Sequence, residues 1–108
     1  MHYFYKQLPV MHVLSGSETD EITLEFEELP SNDATMIALI AKITAPENII
    51  TQVSCSKFGN KFTFVLPVAI SKILHGTYNV DFTLISGGSQ KKVARGILVV
   101  DFSPHMGG

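Results

Sequence analysis

Four histidines and one cysteine are the residues in this chain best suited to metal or nucleophilic chemistry. The histidines, His2, His12, His75 and His105, occur singly, and none has a carboxylate or a cysteine at metal-ligand spacing. No serine lies in a G-x-S-x-G elbow, and no glycine-rich loop of the phosphate-binding pattern follows a predicted strand. We therefore expect no catalytic residue, no metal site and no cofactor, and a protein that is not an enzyme.

One run of carboxylates, Glu18-Thr19-Asp20-Glu21, offers the oxygen atoms that Ca²⁺ prefers, but without the spacing of a calcium-binding loop. Charge is distributed unevenly along the rest of the chain. Acidic residues crowd into one segment and basic residues follow later: Glu18, Asp20, Glu21, Glu25, Glu27 and Glu28, then Lys57, Lys61, Lys72, Lys91, Lys92 and Arg95. Two separate solvated surfaces would explain this pattern, and so would a head-to-tail contact in which the acidic face of one copy meets the basic face of another.

Composition restricts the class of protein further. A chain of 108 residues has room for one domain, and a net charge of −2 argues against nucleic acid as a partner. The charged fraction of 17% leaves a lightly charged surface, which is easier to bury in an assembly than a highly charged one. The single cysteine excludes an internal disulfide and suits a reducing compartment.

The expected location follows from what the chain lacks. The first residues have no unbroken apolar segment of the kind a secretory signal requires, because Lys6, Gln7 and Pro9 interrupt them. No apolar run approaches the roughly 18–20 residues of a transmembrane helix. We expect no signal-dependent secretion and no membrane insertion, and a location in the cytoplasm of the producing cell or in a virion.

Apolar and polar residues alternate along much of the chain, which is the pattern of half-buried β-strands. The clearest case is Tyr78–Leu84, where every second residue is apolar and Asn79, Asp81 and Thr83 are predicted to face solvent. Seven strands are predicted, near Gln7–Leu14, Glu21–Glu28, Thr35–Thr44, Ile50–Phe58, Lys61–Leu66, Thr77–Ser86 and Lys91–Phe102.

Gly59-Asn60 predicts a tight hairpin between the fourth and fifth of these strands, since glycine supplies the positive φ that such turns require. Extending the pairing places Lys57 opposite Phe62, Cys55 opposite Phe64, and Val53 opposite Leu66. This register puts the apolar residues of both strands on one face. Cys55 is therefore interpreted as a small core residue.

A second hairpin, with its tip at Ser86–Ser89, joins the Tyr78 strand to the last strand. In that last strand Gly96 is predicted to form a bulge that rotates the faces. The following run Ile97–Val100 is uninterrupted in its apolar character. Two interpretations are open for it: burial on both sides, or cover by a neighbouring molecule.

Two segments are less regular. Thr35–Thr44 is apolar on both faces and fits a strand or a helix capped by Asn32 or Asp33; we favour the strand because the rest of the chain is β. In Pro67–His75, apolar residues fall at helical spacing, which predicts a short helical turn near 68–75.

Seven strands in about 100 residues match the size of an immunoglobulin-like antiparallel β-sandwich. A glycine followed by Tyr78 at the start of the penultimate strand is typical of the tyrosine corner of such sandwiches, so Tyr78 is predicted to be a fold marker. The chain is expected to be one domain over 1–108, with an N-terminal arm at 1–6 and a flexible tail at 103–108.

Tyr3, Phe4 and Tyr5 are the candidate assembly contacts. Three consecutive aromatic residues cannot all point into one small core. They either cap an open end of their own sandwich or form an arm that docks onto a second copy, where aromatic side chains serve as anchors.

The run from Gly16 to Val100, which is most of the chain, resembles small immunoglobulin-like domains of tailed-phage virion proteins, notably the N-terminal domains of upper baseplate and tail-fibre proteins. The residues that carry the resemblance are Gly16-Ser17-Glu18-Thr19-Asp20 followed by ITLEF, then Phe62-Thr63-Phe64, then GTYNVDFTLISGG and KKVARG. The resemblance implies a structural module that assembles into oligomers, often trimers, and docks to a virion core or a host surface. Such domains usually continue into a fibre or receptor-binding region, so a free-standing version would suit a decoration, adaptor or accessory protein.

The leading hypothesis is thus a non-catalytic structural protein of a phage baseplate, tail or head, which acts by contacts with itself or with other virion proteins. One alternative is a host-surface carbohydrate-binding module, for which Tyr3, Tyr5, Asn32 and Asp33 are the best candidates. Another is a small phage protein that binds and regulates a host protein.

Overall fold

The computed structural model describes residues 6–8, 10–19, 21–29 and 31–101, which form nine strands and one short helix. The strands are β1 (Lys6–Gln7), β2 (Met11–Leu14), β3 (Ile22–Glu25), β4 (Thr35–Lys42), β5 (Ile49–Ser54), β6 (Ser56–Phe58), β7 (Lys61–Phe64), β8 (Gly76–Ser86) and β9 (Ser89–Asp101). The helix α1 (Val68–Ser71) lies between β7 and β8. The predicted all-β class with one short helical turn is confirmed, and the ambiguous segment 35–44 is a strand.

The strands form two sheets. In the large sheet the order is β1-β9-β8-β4-β5, with β2 also paired to β9, and in the small sheet the order is β3-β7-β6. β1 and β2 run parallel to β9, whereas the other described pairings are antiparallel. The prediction of a wholly antiparallel sandwich is therefore wrong at this edge, where the first and last strands run in the same direction. An immunoglobulin-like fold also requires a particular order of strand connections, and that topology stays a prediction.

The core lies between the two sheets and is built from the inward residues of the alternating strands. Phe64 of the small sheet meets Phe82 of the large sheet edge-to-face, with ring centroids 5.3 Å apart. Phe62 packs in the same manner on Phe26 at 5.9 Å. Each fully buried aromatic or aliphatic side chain contributes about 1.5–3 kcal/mol relative to exposure, so this inner layer drives the pairing of the sheets.

The chain crosses from the large sheet to the small sheet at Cys55. The predicted Gly59-Asn60 hairpin is present, and Lys57 is opposite Phe62 as expected. Further back the predicted register is wrong, because Val53 pairs with Ala38 of β4 and the Cys55 N–H donates to the Met36 carbonyl at 2.9 Å. The predicted strand Ile50–Phe58 is thus two strands, one in each sheet.

The predicted bulge at Gly96 is also wrong. The register of the β8–β9 hairpin shifts between Phe82 and Thr83, which leaves Val93 as the extra residue. Gly96 instead pairs regularly with Val80, and a Cβ atom built on it would lie 2.8 Å from Met11 Cε. Glycine at this position makes room for the side chains of the parallel N-terminal segment.

Buried serines attach α1 to the loop after β2. Ser71 is fully buried; its hydroxyl donates to the Ser17 carbonyl at 2.7 Å and accepts from the Gly16 N–H at 3.1 Å. Thr19 accepts a hydrogen bond from the Leu66 N–H at 2.8 Å. These bonds satisfy backbone groups that are not paired in a sheet, and they fix the position of the loop against the helical turn. No helix in the described part of the chain is long and apolar enough to cross a membrane.

Tyr78 opens the buried part of β8, and its hydroxyl lies against the backbone three residues earlier. It donates to the His75 carbonyl at 2.7 Å and accepts from the His75 N–H at 2.8 Å. The ring itself is buried, with 4% of its surface exposed. One side chain thus holds the turn between α1 and β8, as expected of a tyrosine corner.

We expect Tyr78→Phe to lower the free energy of unfolding by about 1 kcal/mol, because the His75 backbone loses its partner while the ring stays packed. Urea unfolding of the two proteins measures the difference. Phe58→Tyr, which adds a hydroxyl at a side chain that is 86% exposed, is the control and should leave the curve unchanged. Equal midpoints for Tyr78→Phe and the wild type would contradict a stabilising role for the corner.

Candidate functional site

Chemistry-bearing side chains do not converge among the described residues. His12 and His75 are both exposed, and no group of three or more histidine, cysteine or acidic residues that could hold a metal occurs within the described ranges. Glu18 and Glu21 are exposed, and the Thr19 between them is buried and accepts a hydrogen bond from the Leu66 N–H. His2, Asp20 and His105 lie outside the described residues.

Cys55 packs against the core at the point where the chain changes sheets. Burial raises the pKa of its thiol to about 11, so the neutral form predominates at neutral pH. A reactive cysteine needs the thiolate. The position of Cys55 therefore fits the predicted role of a small core residue.

The outward face of β8 is buried, which contradicts the prediction that Asn79, Asp81 and Thr83 face solvent. Their exposed fractions are 6%, 2% and 2%. The reason is the position of β8: it lies between β4 and β9, and long side chains from both neighbours cover it. In the register, Asp81 has Leu39 on one side and Arg95 on the other.

Asp81 is held by two cations from β9. Arg95 Nε donates to Asp81 Oδ1 at 2.8 Å, and Lys92 Nζ lies 3.3 Å from Oδ2. Burial alone would raise the pKa of this carboxyl, but the hydrogen bonds from Arg95 and Lys92 outweigh it and hold the pKa below the ordinary value of 3.8. The cluster is a satisfied ion-pair network on the sheet face.

Around this cluster the outward face of the large sheet is aliphatic and half-buried, with Ile37 and Leu39 on β4 and Ile97 and Val99 on β9. In the run Ile97–Val100 the residues therefore alternate: Leu98 and Val100 are in the core, and Ile97 and Val99 lie on the outward face. Neither of the two sequence interpretations describes this arrangement fully.

The acidic and basic segments do not form two separate faces. Glu25 on β3 is the register partner of Lys61 on β7, so opposite charges share the small sheet. Lys92 and Arg95 lie on the large sheet with Asp81 between them. The head-to-tail contact between an acidic and a basic face stays a prediction, and the position of Lys61 removes part of its basis.

Four sheet edges are open to a partner in the described chain, and they differ in length and charge. β3 carries Glu25 and β6 carries Lys57, while β1 and β2 are a broken edge of two and four residues in which His12 lies 4.0 Å from Asp101. β5 is the longest of these edge strands, and none of its six residues is titratable. Ile49 and Ile50 at its start are 44% and 47% exposed, and Ile43 in the preceding loop is 46% exposed.

The sequence-predicted contacts Tyr3, Phe4 and Tyr5 lie outside the described residues, as does the tail 103–108. Tyr78 is buried, so it acts on the fold and not on a surface. Two surface features were missed from the sequence. The β5 edge was concealed by the merged strand prediction, and the exposure of Phe58 follows from its register opposite Lys61, on the face away from Phe62.

We expect Asp81→Asn to lower the free energy of unfolding at pH 7 by about 1–3 kcal/mol, since two cations lose their charged partner. Because folding depresses the pKa of Asp81, its contribution is present above the unfolded value of about 4 and is lost as pH falls toward the lower folded value. Urea unfolding at pH 7 and pH 3 should therefore show a smaller difference between the two proteins at pH 3.

Thr83→Val is the matched control on the same strand face, because the Thr83 hydroxyl is buried and has no hydrogen-bond partner. Removing it should be neutral or stabilising. An Asp81→Asn protein that matches the wild type at pH 7 would contradict the stabilising role of the network.

Comparisons with known proteins bear on the fold. No protein-family model matches the chain, and no curated protein is similar to it in sequence. Among solved structures, the chain is similar to part of a DUF4784 family protein from Bacteroides caccae, with a TM-score of 0.52 and 11% sequence identity. The match covers 93% of this chain and 23% of that one. At this identity the likeness concerns the fold alone: an all-β arrangement that also occurs as one portion of a longer protein.

Proposed function

We propose that the chain is a non-catalytic assembly module that works through protein–protein contacts, with itself or with other components of a particle. The observation that carries the proposal is the β5 edge, which is uncharged over its whole length and begins with two exposed isoleucine side chains, Ile49 and Ile50. Soluble monomers blunt such edges with charges, proline or short strands, because unpaired backbone groups are templates for another strand. The other described edges of this chain have those features, and β5 does not.

The remainder of the surface supports the same proposal. The outward face of the large sheet has half-buried aliphatic residues around an ion-pair network in which Asp81 is paired with both Lys92 and Arg95. Such a face can be covered by a partner at a lower desolvation cost than an array of unpaired charges. Phe58, 86% exposed at the tip of the β6–β7 hairpin, adds an apolar contact point on the small sheet.

The particle is inferred to be a tailed-phage virion. This part of the proposal is supported by the sequence resemblance of Gly16–Val100 to immunoglobulin-like virion domains. We also infer the immunoglobulin-like topology itself, which the Tyr78 corner and the separation of β3, β6 and β7 from β4, β8 and β9 support.

We expect the purified protein to be a homo-oligomer at micromolar concentration, because the β5 edge and the apolar surface remain uncovered in a single copy. Light scattering coupled to size exclusion measures the mass directly. A mass of 11.8 kDa, that of one chain, over the whole micromolar range would contradict self-assembly.

Tyr3, Phe4 and Tyr5 are proposed to contribute to this association as an aromatic arm. A protein that lacks residues 3–5 should then dissociate at a higher concentration than the full chain in the same light-scattering measurement. An unchanged mass profile, with an unchanged urea midpoint, would return these residues to a role as a cap on their own sandwich.

A further inference from the structure

The β5 edge has a defined set of backbone groups that no strand of the same chain pairs. The Cys55 N–H donates to Met36 in the large sheet, and in an antiparallel ladder the direction of the N–H groups alternates along the strand. Thr51 and Val53 therefore point their backbone groups toward β4, and Gln52 and Ser54 point theirs away from it. The open edge is thus centred on Val53, with one outward residue on each side.

We propose that two copies of the chain pair through this edge, β5 against β5 in antiparallel orientation, with a two-fold axis at Val53. This inference rests on the proposed assembly function and identifies the surface and the partner. In this register Gln52 of one copy is opposite Ser54 of the other, on both sides of the axis. Each such pair exchanges N–H···O bonds in both directions, so every outward backbone group of Gln52 and Ser54 is satisfied.

Neighbouring registers leave backbone groups unpaired. An axis at Gln52 would place Ser54 opposite Ile50, where the β4–β5 register shifts between Ile40 and Ala41. An axis at Ser54 would place Gln52 opposite Ser56, which belongs to β6 in the other sheet. The regular part of the β5 edge ends at the β4–β5 register shift near Ile50 and at the crossing between sheets at Cys55. These two limits select the axis at Val53.

The absence of charged residues on the β5 edge favours a second copy over an unrelated strand. In a two-fold contact every residue faces its own kind or a near neighbour from the same strand, so any charged side chain would be repelled by its copy. All six residues of β5 are uncharged. The pairing would join the large sheets of the two copies into one continuous sheet.

Disulfide trapping tests the register, with Cys55→Ser as the background. Proteins with Gln52→Cys or Ser54→Cys should not cross-link alone, because like positions are diagonal neighbours across the axis. An equimolar mixture of the two should form a covalent dimer under mild oxidation, because positions 52 and 54 are directly opposite. Cross-linking of either variant with itself, at a yield equal to that of the mixture, would overturn the proposed axis.

A pair of lysines tests the surface. Gln52→Lys/Ser54→Lys places like charges opposite one another in the proposed dimer and should reduce the mass to that of one chain. Ser89→Lys/Gln90→Lys is the matched control: both residues are exposed on β9, with β8 and β4 between them and β5, and the mass should not change. Urea unfolding confirms that both variants fold.

The outcomes separate the two proposals. If the wild type is an oligomer and folded Gln52→Lys/Ser54→Lys keeps the same mass, the β5 pairing is wrong and the assembly function stands. If the wild type is a single chain throughout the micromolar range and the cysteine mixture does not cross-link, both are wrong.

Discussion

The hydrogen bond from the Cys55 N–H to the Met36 carbonyl marks the constraint on which the arrangement of this molecule depends. β5, which ends at Ser54, is an edge of the large sheet, and β6, which begins at Ser56, belongs to the small one. In the predicted continuous strand from Ile50 to Phe58, the part that is now β5 would have had β7 as a paired neighbour. Because the chain crosses instead, β5 pairs with β4 alone, and the longest open edge of the described chain is created by the same step that connects the two sheets.

Asp81 shows a second consequence of the two-sheet arrangement. The central position of β8 buries both of its faces, and a carboxylate on the outward face must be either neutralised or paired. Arg95 and Lys92 provide that pairing, and their side chains remain 36% and 53% exposed, so their aliphatic stems can cover the strand while their charged ends reach solvent. The bulge at Val93 is required for the Asp81–Arg95 ion pair. Without this register shift Asp81 would be opposite Ala94, and the Arg95 side chain would lie on the opposite face of the sheet. A local irregularity of the ladder therefore decides whether a buried charge is stabilised.

Much of the fold was predictable because its elements are determined by local patterns. The alternation around Leu24 and Phe62, the Gly59-Asn60 turn and the corner at Tyr78 each depend on a few neighbouring residues, and each is found where the sequence placed it. The errors share a different origin. The sheet crossing at Cys55, the bulge at Val93 and the burial of Asp81 depend on which strands become neighbours, and alternation within one strand carries no information about its partners. The candidate interface was therefore only partly predictable: the sequence indicated assembly through edges and apolar surface, but the identity of the edge required the topology.

An open strand edge favours aggregation. It is therefore informative which edges of this chain carry a charged residue or consist of short strands. Glu25 and Lys57 lie on the edges of the small sheet, and the opposite edge of the large sheet is short and interrupted. Selection against non-specific pairing would place such a feature on β5 as well, where a single lysine at the exposed Gln52 or Ser54 would suffice. Neither position packs in the core, so their polar but uncharged residues are not required by the fold of one copy. The lack of charge at positions where charge would not disturb folding therefore supports the proposal that another strand pairs with the β5 edge.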